Sequence, residues 1–517
     1  FILVVCSQDP ILQNFAKTTL GAERGSFYVV HKDKFDNIIA DLYDEGLDTK
    51  ISQLLKRKRP VKFNKARSLA SLAAHTGKII NVRDTKTDPR FDTEYDHSTG
   101  FITRSVLCAP IMTGDSVLGV IQVTNKIKNA YFTQDEEKLI KIFATYCALA
   151  LQYARVHDAK MKGESRNQMY REMLSFHMRP TIAEVKPFMA DPYPANIPAG
   201  FSDFSWYISP KETGHMTQYL HFMITSVCGE RFQDLSCMGN FLIMVRKSYR
   251  EQPFHNFEHA FNVAHCMYAI LSRNFQMFND IEIMSLIISA LCHDLDHRGF
   301  TNNFMRITNH SLYQLYENST MENHHTFVAK LIIEITGIFD FLSNNEFQQM
   351  MVLLEENIIA TDLAVFLRNS AKLAKILECD NFDQEEEMHK YLLRSIMMTC
   401  CDLSASCKPF KISKTICHNL MKEFYHQGDL EKELGFVPLP MMDRQKLAKL
   451  PEDQVRFISV ICQSANELLS MILPTCEPLF ELTKEVEACW YYVQQIRNEK
   501  EWKPEDSYPH KKGENKK

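Results

Sequence analysis

Two textures of apolar patterning divide the 517-residue chain. Between SFYVV (26–30) and VLGVIQVT (117–124), short β-rich runs are separated by turn signals such as HTGK, TDPR and TGDS, which predicts strands. DEEKLIKIFATYCALALQYARV then repeats apolar residues at helical spacing and predicts a closing helix. Strands bracketed by helices make residues 1–151 a small α+β domain. From about residue 152 the pattern is helical through AKMKGESRNQMYREML, until the proline-bearing KPFMADPYPANIPAG marks a domain edge, so 152–205 reads as a helical linker. After residue 205 helix follows helix without period-two alternation, which predicts an all-α domain over 206–500. The charged, apolar-poor tail, 501–517, has the composition of a disordered segment.

Composition adds constraints to this multidomain outline. A net charge of −5 gives no reason to expect a nucleic-acid partner, and an anionic substrate would need positive charge supplied locally. The 15 cysteines are scattered and odd in number, as in a reduced, cytoplasmic protein. IEIMSLIISALC is too short for a membrane span and runs into charge, so no span is expected. The opening FILVVC has neither a methionine nor signal-peptide features, and the chain reads as a fragment lacking an upstream region. The basic run KRKRPVKFNKAR (56–67) reads as a solvated loop of the first domain, not a nuclear signal.

Chemistry concentrates in the helical half. In FHNFEHAF (254–261), His255 and His259 lie four apart and share a helical face. LCHDLDHRGF (291–300) drives an apolar helix into His293, Asp294, Asp296 and His297, and LLRSIMMTCCDLSA carries a single acid, Asp402. Each has a structural explanation alone, but three apolar helices delivering His or Asp to their inner faces are hard to explain without a ligand. Imidazoles suit zinc and carboxylates suit magnesium or manganese, so the mixed set indicates a two-metal site able to polarise a phosphoryl group.

These motifs resemble the class I cyclic-nucleotide phosphodiesterases of the wider HD phosphohydrolase group. VAHCMYAIL (263–271), CHDLDHRGF, IIATDLA (358–364) and PMMDR (440–444) are most similar to the tenth, dual-specificity family. The resemblance implies hydrolysis of cAMP, cGMP or both to 5′-monophosphates by a two-metal bridging hydroxide. It implies zinc held by His259, His293, Asp294 and Asp402, with Asp294 shared with a second ion, magnesium or alternatively manganese. His255 matches the general acid that protonates O3′, Glu423 the carboxylate that orients it, and His297 and Glu322 the groups around the metal waters. Gln454 matches the base-reading glutamine, with Phe457 and Leu420 clamping the purine and Phe424 nearby. Phe254, Arg456 and Met421 depart from the family pattern. None is a metal ligand, so the departures bear on the pocket alone. Asp296 receives no metal role.

NKIKNAYFTQDEEKL resembles the signature of GAF domains, with Asn125, Lys126, Phe132 and the acids Glu136 and Glu137. Residues 1–151 suit the second of a tandem GAF pair. By the same resemblance a cyclic nucleotide would meet Gly25, Leu69, Ala70, Thr103 and Gln122, although SLAS (68–71) replaces a glycine-framed loop. A homodimer is the expected assembly. Two rival readings remain: another HD-type phosphohydrolase, and a catalytically silent nucleotide sensor.

Overall fold

The computed structural model describes residues 17–499 apart from 33–37, 45–58, 63–67, 94–95 and 98–99. It divides into two compact units between Arg171 and Glu172. The first holds strands β1 (Ala22–Lys32), β2 (Ile38–Asp44), β3 (Arg59–Lys62), helix α1 (Leu69–Thr76), and strands β4 (Ile80–Val82), β5 (Val106–Thr113) and β6 (Ser116–Lys126). They form one antiparallel sheet in the order β3-β2-β1-β6-β5-β4. Helix α2 (Gln134–Met178) follows.

Period-two alternation distributes β5 and β6 between two cores. Leu107, Ala109, Ile111, Ile121 and Val123 face Ile140, Ala144, Cys147 and Leu151 of α2. Val106, Cys108 and Val120 face Leu69, Ala70 and Ala73 of α1. The GAF-like signature closes this unit structurally. Lys126 Nζ pairs with Glu136 and donates to the Leu20 carbonyl at 2.6 Å, while Phe132 is fully buried. Asn125, at φ 57°, accepts from the Arg104 N–H at 2.6 Å and donates to the Ile102 carbonyl at 2.9 Å.

Three sequence expectations change. The basic run 56–67 is not wholly loop, because Arg59–Lys62 pair with β2; its remaining residues lie outside those described. The domain boundary expected at residue 151 falls inside a helix that runs unbroken to Met178, since nothing between carries a helix breaker stronger than Gly163. An eighteen-residue window of α2 is apolar enough to cross a membrane by length and composition, and one third of it is buried within the protein. The tail 501–517 lies outside the described residues.

The second unit is helical. The expected linker's later half belongs to its core: Phe188 of α3 (Ile182–Ala190) packs there with Phe201 and Phe204. The helices continue as α4 (Met216–Cys228), α5 (Leu235–Ser248), α6 (Phe257–Asn274), α7 (Asp280–Cys292), α8 (Asn302–Ile307), α9 (Ser311–Leu315) and α10 (Thr320–Thr336). Then come α11 (Asn344–Ile359), α12 (Leu363–Glu378), α13 (Glu387–Asp402), α14 (Phe410–Glu433), α15 (Leu450–Phe457), α16 (Gln463–Ile472) and α17 (Glu477–Glu499). Helices α6 and α7 are buried along nearly their whole length, which fixes the ends where the polar residues sit.

Candidate active site

Three helix ends meet at one point. Asn256 caps α6, its side chain accepting from the N–H groups of Glu258 and His259 at 3.0 and 3.1 Å, and so sets His259 in the first turn. Apolar α7 ends at Cys292 and places His293 and Asp294 in the following turn. Tyr249 holds that turn: its hydroxyl donates to the Leu291 carbonyl at 2.8 Å and accepts from the Asp294 N–H at 3.3 Å. Asp402 is the last residue of α13.

The four ligand atoms converge. His259 Nε2 lies 3.2 Å from His293 Nε2, 3.0 Å from Asp402 Oδ1 and 3.4 Å from Asp294 Oδ2. His293 Nε2 lies 3.2 Å from both Asp294 Oδ2 and Asp402 Oδ1. A tetrahedral ion with bonds of about 2.0–2.1 Å requires ligand-to-ligand edges of about 3.3–3.4 Å, so this donor set fits one. His293 Nδ1 sits 3.0 Å from the Ala290 carbonyl, which assigns its proton there and leaves the Nε2 lone pair facing the cluster. Burial opposes charge on all four groups. Even so, the adjacent imidazoles hold Asp294 and Asp402 below the usual carboxylate range, and the carboxylates hold His259 and His293 above the usual imidazole range. Two carboxylates buried among imidazoles form a site that demands positive charge.

Asp294 divides its oxygens. Oδ2 faces the first cluster, while Oδ1 lies 3.6 Å from His325 Nε2. Asp294, His297 and His325 form a second group able to hold an ion. His325 Nδ1 sits 2.5 Å from the Leu295 carbonyl, which orients Nε2 inward. The HD resemblance did not single out His325; its only signal was the paired histidine of MENHH.

His255 is held by a buried carboxylate. Glu423 accepts from His255 Nδ1 at 2.5 Å, from the His255 N–H at 2.9 Å and from the Phe254 N–H at 2.6 Å. Burial pushes the Glu423 carboxyl up, but His255 and the two N–H donors prevail and hold it below its ordinary value. His297 stacks on His255 with ring centroids 3.8 Å apart and accepts from the Gly299 N–H at 3.0 Å. Glu322 accepts from Asn302 at 2.9 Å, and burial beside Asp362 raises its carboxyl to about 8.

These groups floor a cavity of about 610 Å³. His255, Asp294, His297, Glu322 and Asp402 line its polar end, and Leu420, Phe424, Gln454 and Phe457 line its apolar end. Phe457 is followed by a π turn, Ile458–Cys462, which re-aims this wall between α15 and α16. His259, His293 and Glu423 are buried behind the walls. Of the departures from the family pattern, Phe254 places its ring 4.6 Å from both His255 and His259, Met421 is buried in the cavity wall, and Arg456 is exposed.

Asp296 is a structural hub. At φ 60° it pairs with Arg250 at 2.6 Å, His324 at 2.7 Å and Arg298 at 3.1 Å; despite its burial these partners hold its carboxyl at about 2.

In the first unit, Gly25 and Gln122 lie on neighbouring strands β1 and β6, and Gln122 accepts from Cys108 Sγ at 3.5 Å. Leu69 and Ala70 are core residues of α1, which Ser68 caps. Both the N–H and the hydroxyl of Thr103 donate to Asp96 at 2.7 Å.

Fold and site together define a chain of two compact units whose helical half carries a histidine–aspartate cluster able to hold a metal ion at one end of a cavity. Residues 254–483 belong to the family described as 3'5'-cyclic nucleotide phosphodiesterase, and residues 9–151 to the GAF domain family. Among curated proteins, the chain is 33% identical over 487 residues to the probable 3',5'-cyclic phosphodiesterase pde-5 of Caenorhabditis elegans, covering 92% of this chain and 66% of that protein. It is 34% identical to the dual 3',5'-cyclic-AMP and -GMP phosphodiesterase 11A of Takifugu rubripes, covering 82% of this chain and 48% of that protein. The chain thus spans between about half and two thirds of these relatives' length. Among solved structures, the phosphodiesterase domain of the RhoPDE fusion protein from the choanoflagellate Salpingoeca rosetta matches with TM-score 0.56 and 25% identity, covering 58% of this chain and 97% of that one. LmjPDEB1 in complex with IBMX shares the fold at 24% identity and TM-score 0.56, covering 62% of this chain and 99% of its own.

Proposed function

We propose that the protein hydrolyses 3′,5′-cyclic nucleotides to 5′-monophosphates. The observation that carries this reading is the convergence of His259, His293, Asp294 and Asp402 at the polar end of a cavity whose other end is lined by Leu420, Phe424, Gln454 and Phe457. Zinc suits the first cluster, with its two imidazoles, and magnesium suits the Asp294 side. Bound there, such ions supply positive charge for the phosphoryl oxygens and lower the pKa of a bound water. The chain's own residues do the rest. Leu420 and Phe457 clamp the base between apolar faces. The Gln454 amide, which makes no hydrogen bond to a described residue, offers both donor and acceptor to either purine. His255, its Nδ1 tied to Glu423, gives a proton to O3′ as it leaves. Glu322 and His297 line the polar end.

Use of both cAMP and cGMP is supported by the stretches similar to the tenth family and by the relatives named as dual enzymes, which carry the number eleven. The test is turnover of cAMP, cGMP and linear nucleotides by the ion-loaded protein, before and after chelation. Cyclic substrates should be consumed only with ions present. Consumption of linear nucleotides alone would favour the rival HD phosphohydrolase, and no turnover the silent sensor.

A homodimer is supported by α2. Leu139, Ile142, Tyr146, Leu149, Tyr153 and Val156 recur at alternating spacings of three and four on the face turned away from the sheet, and all are exposed. The register continues through Lys160, Gly163 and Asn167 to Tyr170 and Leu174, about five heptads, enough for a two-stranded coil. Asn167 at a core position suits pairing with a second copy in parallel register. Leu149→Glu with Tyr153→Glu should convert the dimer to monomer in sedimentation while leaving metal content full; a parent chain that sediments as a monomer would end this assignment. All the described cysteines are free thiols, which supports a cytoplasmic setting.

A further inference from the structure

Helix α14 touches three walls of the cavity. Its Leu420 and Phe424 form part of the apolar end, and its Glu423 holds the His255 loop. One turn on, Gln427 is 1% exposed. Its Oε1 accepts from the Thr301 N–H at 2.9 Å. Its Nε2 donates to the Thr301 hydroxyl at 3.0 Å and to Glu431 at 2.8 Å, with Met442 Sδ 3.4 Å away. Thr301 and Met442 both line the cavity, from the turn after the HD motif and from the segment after α14 respectively.

The neighbouring Gly428 lets that segment approach. A Cβ there would stand 2.1 Å from the Met442 carbonyl oxygen, closer than any side chain tolerates. Beyond Met442, Asp443 bonds Lys432 at 2.5 Å and Arg444 bonds Asp429 at 2.8 Å, so residues 442–444 are fastened to α14. The preceding stretch is tied to the end of α14 through its backbone, the Phe436 N–H donating to the Glu431 carbonyl at 2.8 Å, while the side chains of Leu434, Phe436, Val437 and Leu439 are all exposed. The Met441–Met442 wall therefore takes its position from α14.

We infer that Gln427 and Gly428 are positioning residues that dock the Met441–Met442 wall against the Thr301 wall, and thereby set the affinity of the cavity for its substrate. The inference rests on the reading of this cavity as the cyclic-nucleotide site. Neither residue meets a metal ligand or His255, so the chemical step lies outside their reach.

Gly428→Ala is informative because alanine ordinarily favours a helix interior. Gln427→Glu sets a carboxylate against Glu431, and adding Glu431→Gln restores a donor-acceptor pair while Thr301 still donates to residue 427. Kinetics on cAMP and cGMP, metal content and amide exchange over 440–444 should be measured for all three variants. Gly428→Ala and Gln427→Glu should raise KM about tenfold or more with kcat within about threefold and metal content full. They should also speed exchange at 440–444, and the double variant should recover both values. KM unchanged in a folded variant, kcat falling without KM, or no recovery in the double variant would overturn the inference. If the parent turns over no cyclic nucleotide, the functional reading fails separately. Exchange then decides, and equal rates in parent and variants would refute the anchoring.

Discussion

Asp402→Ala is expected to leave a folded protein that has lost its tightly held ion and at least about three orders of magnitude of turnover. Asp402 Oδ1 stands 3.0 and 3.2 Å from the Nε2 atoms of His259 and His293, closing the donor set from a different helix. Asp294 cannot replace it, because its Oδ2 already occupies another vertex and its Oδ1 turns toward His325. Asp402→Asn keeps the shape but removes the charge that balances two buried imidazoles, so it should fall between parent and alanine in metal content. Elemental analysis together with kcat checks both, with Asp296→Ala as the control that keeps its ion. Full metal and full turnover in Asp402→Ala would remove the basis for the metal centre.

The His and Asp constellation was legible from sequence because it places uncommon residue types at the ends of apolar helices, and helical spacing is local; the family resemblance narrowed it to His259, His293, Asp294 and Asp402, four side chains that the fold brings together. What the sequence left open was long-range. Asp296 had no role that the sequence could assign until the fold brought Arg250, 46 residues earlier, and His324, 28 residues later, onto its carboxylate. His325 and Tyr249 act through contacts to the Asp294 turn that no local pattern announces. The linker was harder still. Charge marks α2 as solvated after residue 157, but only packing shows Phe188, Phe201 and Phe204 joining the catalytic core. The NKIKNAYF signature was the reverse case, a motif whose spacing makes sense once Lys126, Glu136 and the Leu20 carbonyl are seen to meet.

The His255–Glu423 couple carries the other large effect. His255→Ala should cost about 10²–10⁴ in kcat with metal content intact, since the residue is the proposed proton donor and lies outside the first cluster. Glu423→Gln asks why the proton is available. The introduced amide oxygen can still accept from the Phe254 and His255 N–H groups, but the substitution removes the negative charge 2.5 Å from His255 Nδ1. Glu423→Gln should therefore lower kcat by about tenfold or more with metal content intact. Stability should respond to acid. The Glu423 carboxyl titrates below its ordinary value in the folded protein. Its contribution is therefore complete above the unfolded carboxyl value of about 4.3 and is lost as pH falls through the folded one. Thermal unfolding of the parent should accordingly decline more steeply below about pH 4 than that of Glu423→Gln. Unchanged kcat in Glu423→Gln would mean that Glu423 only fixes the ring's position.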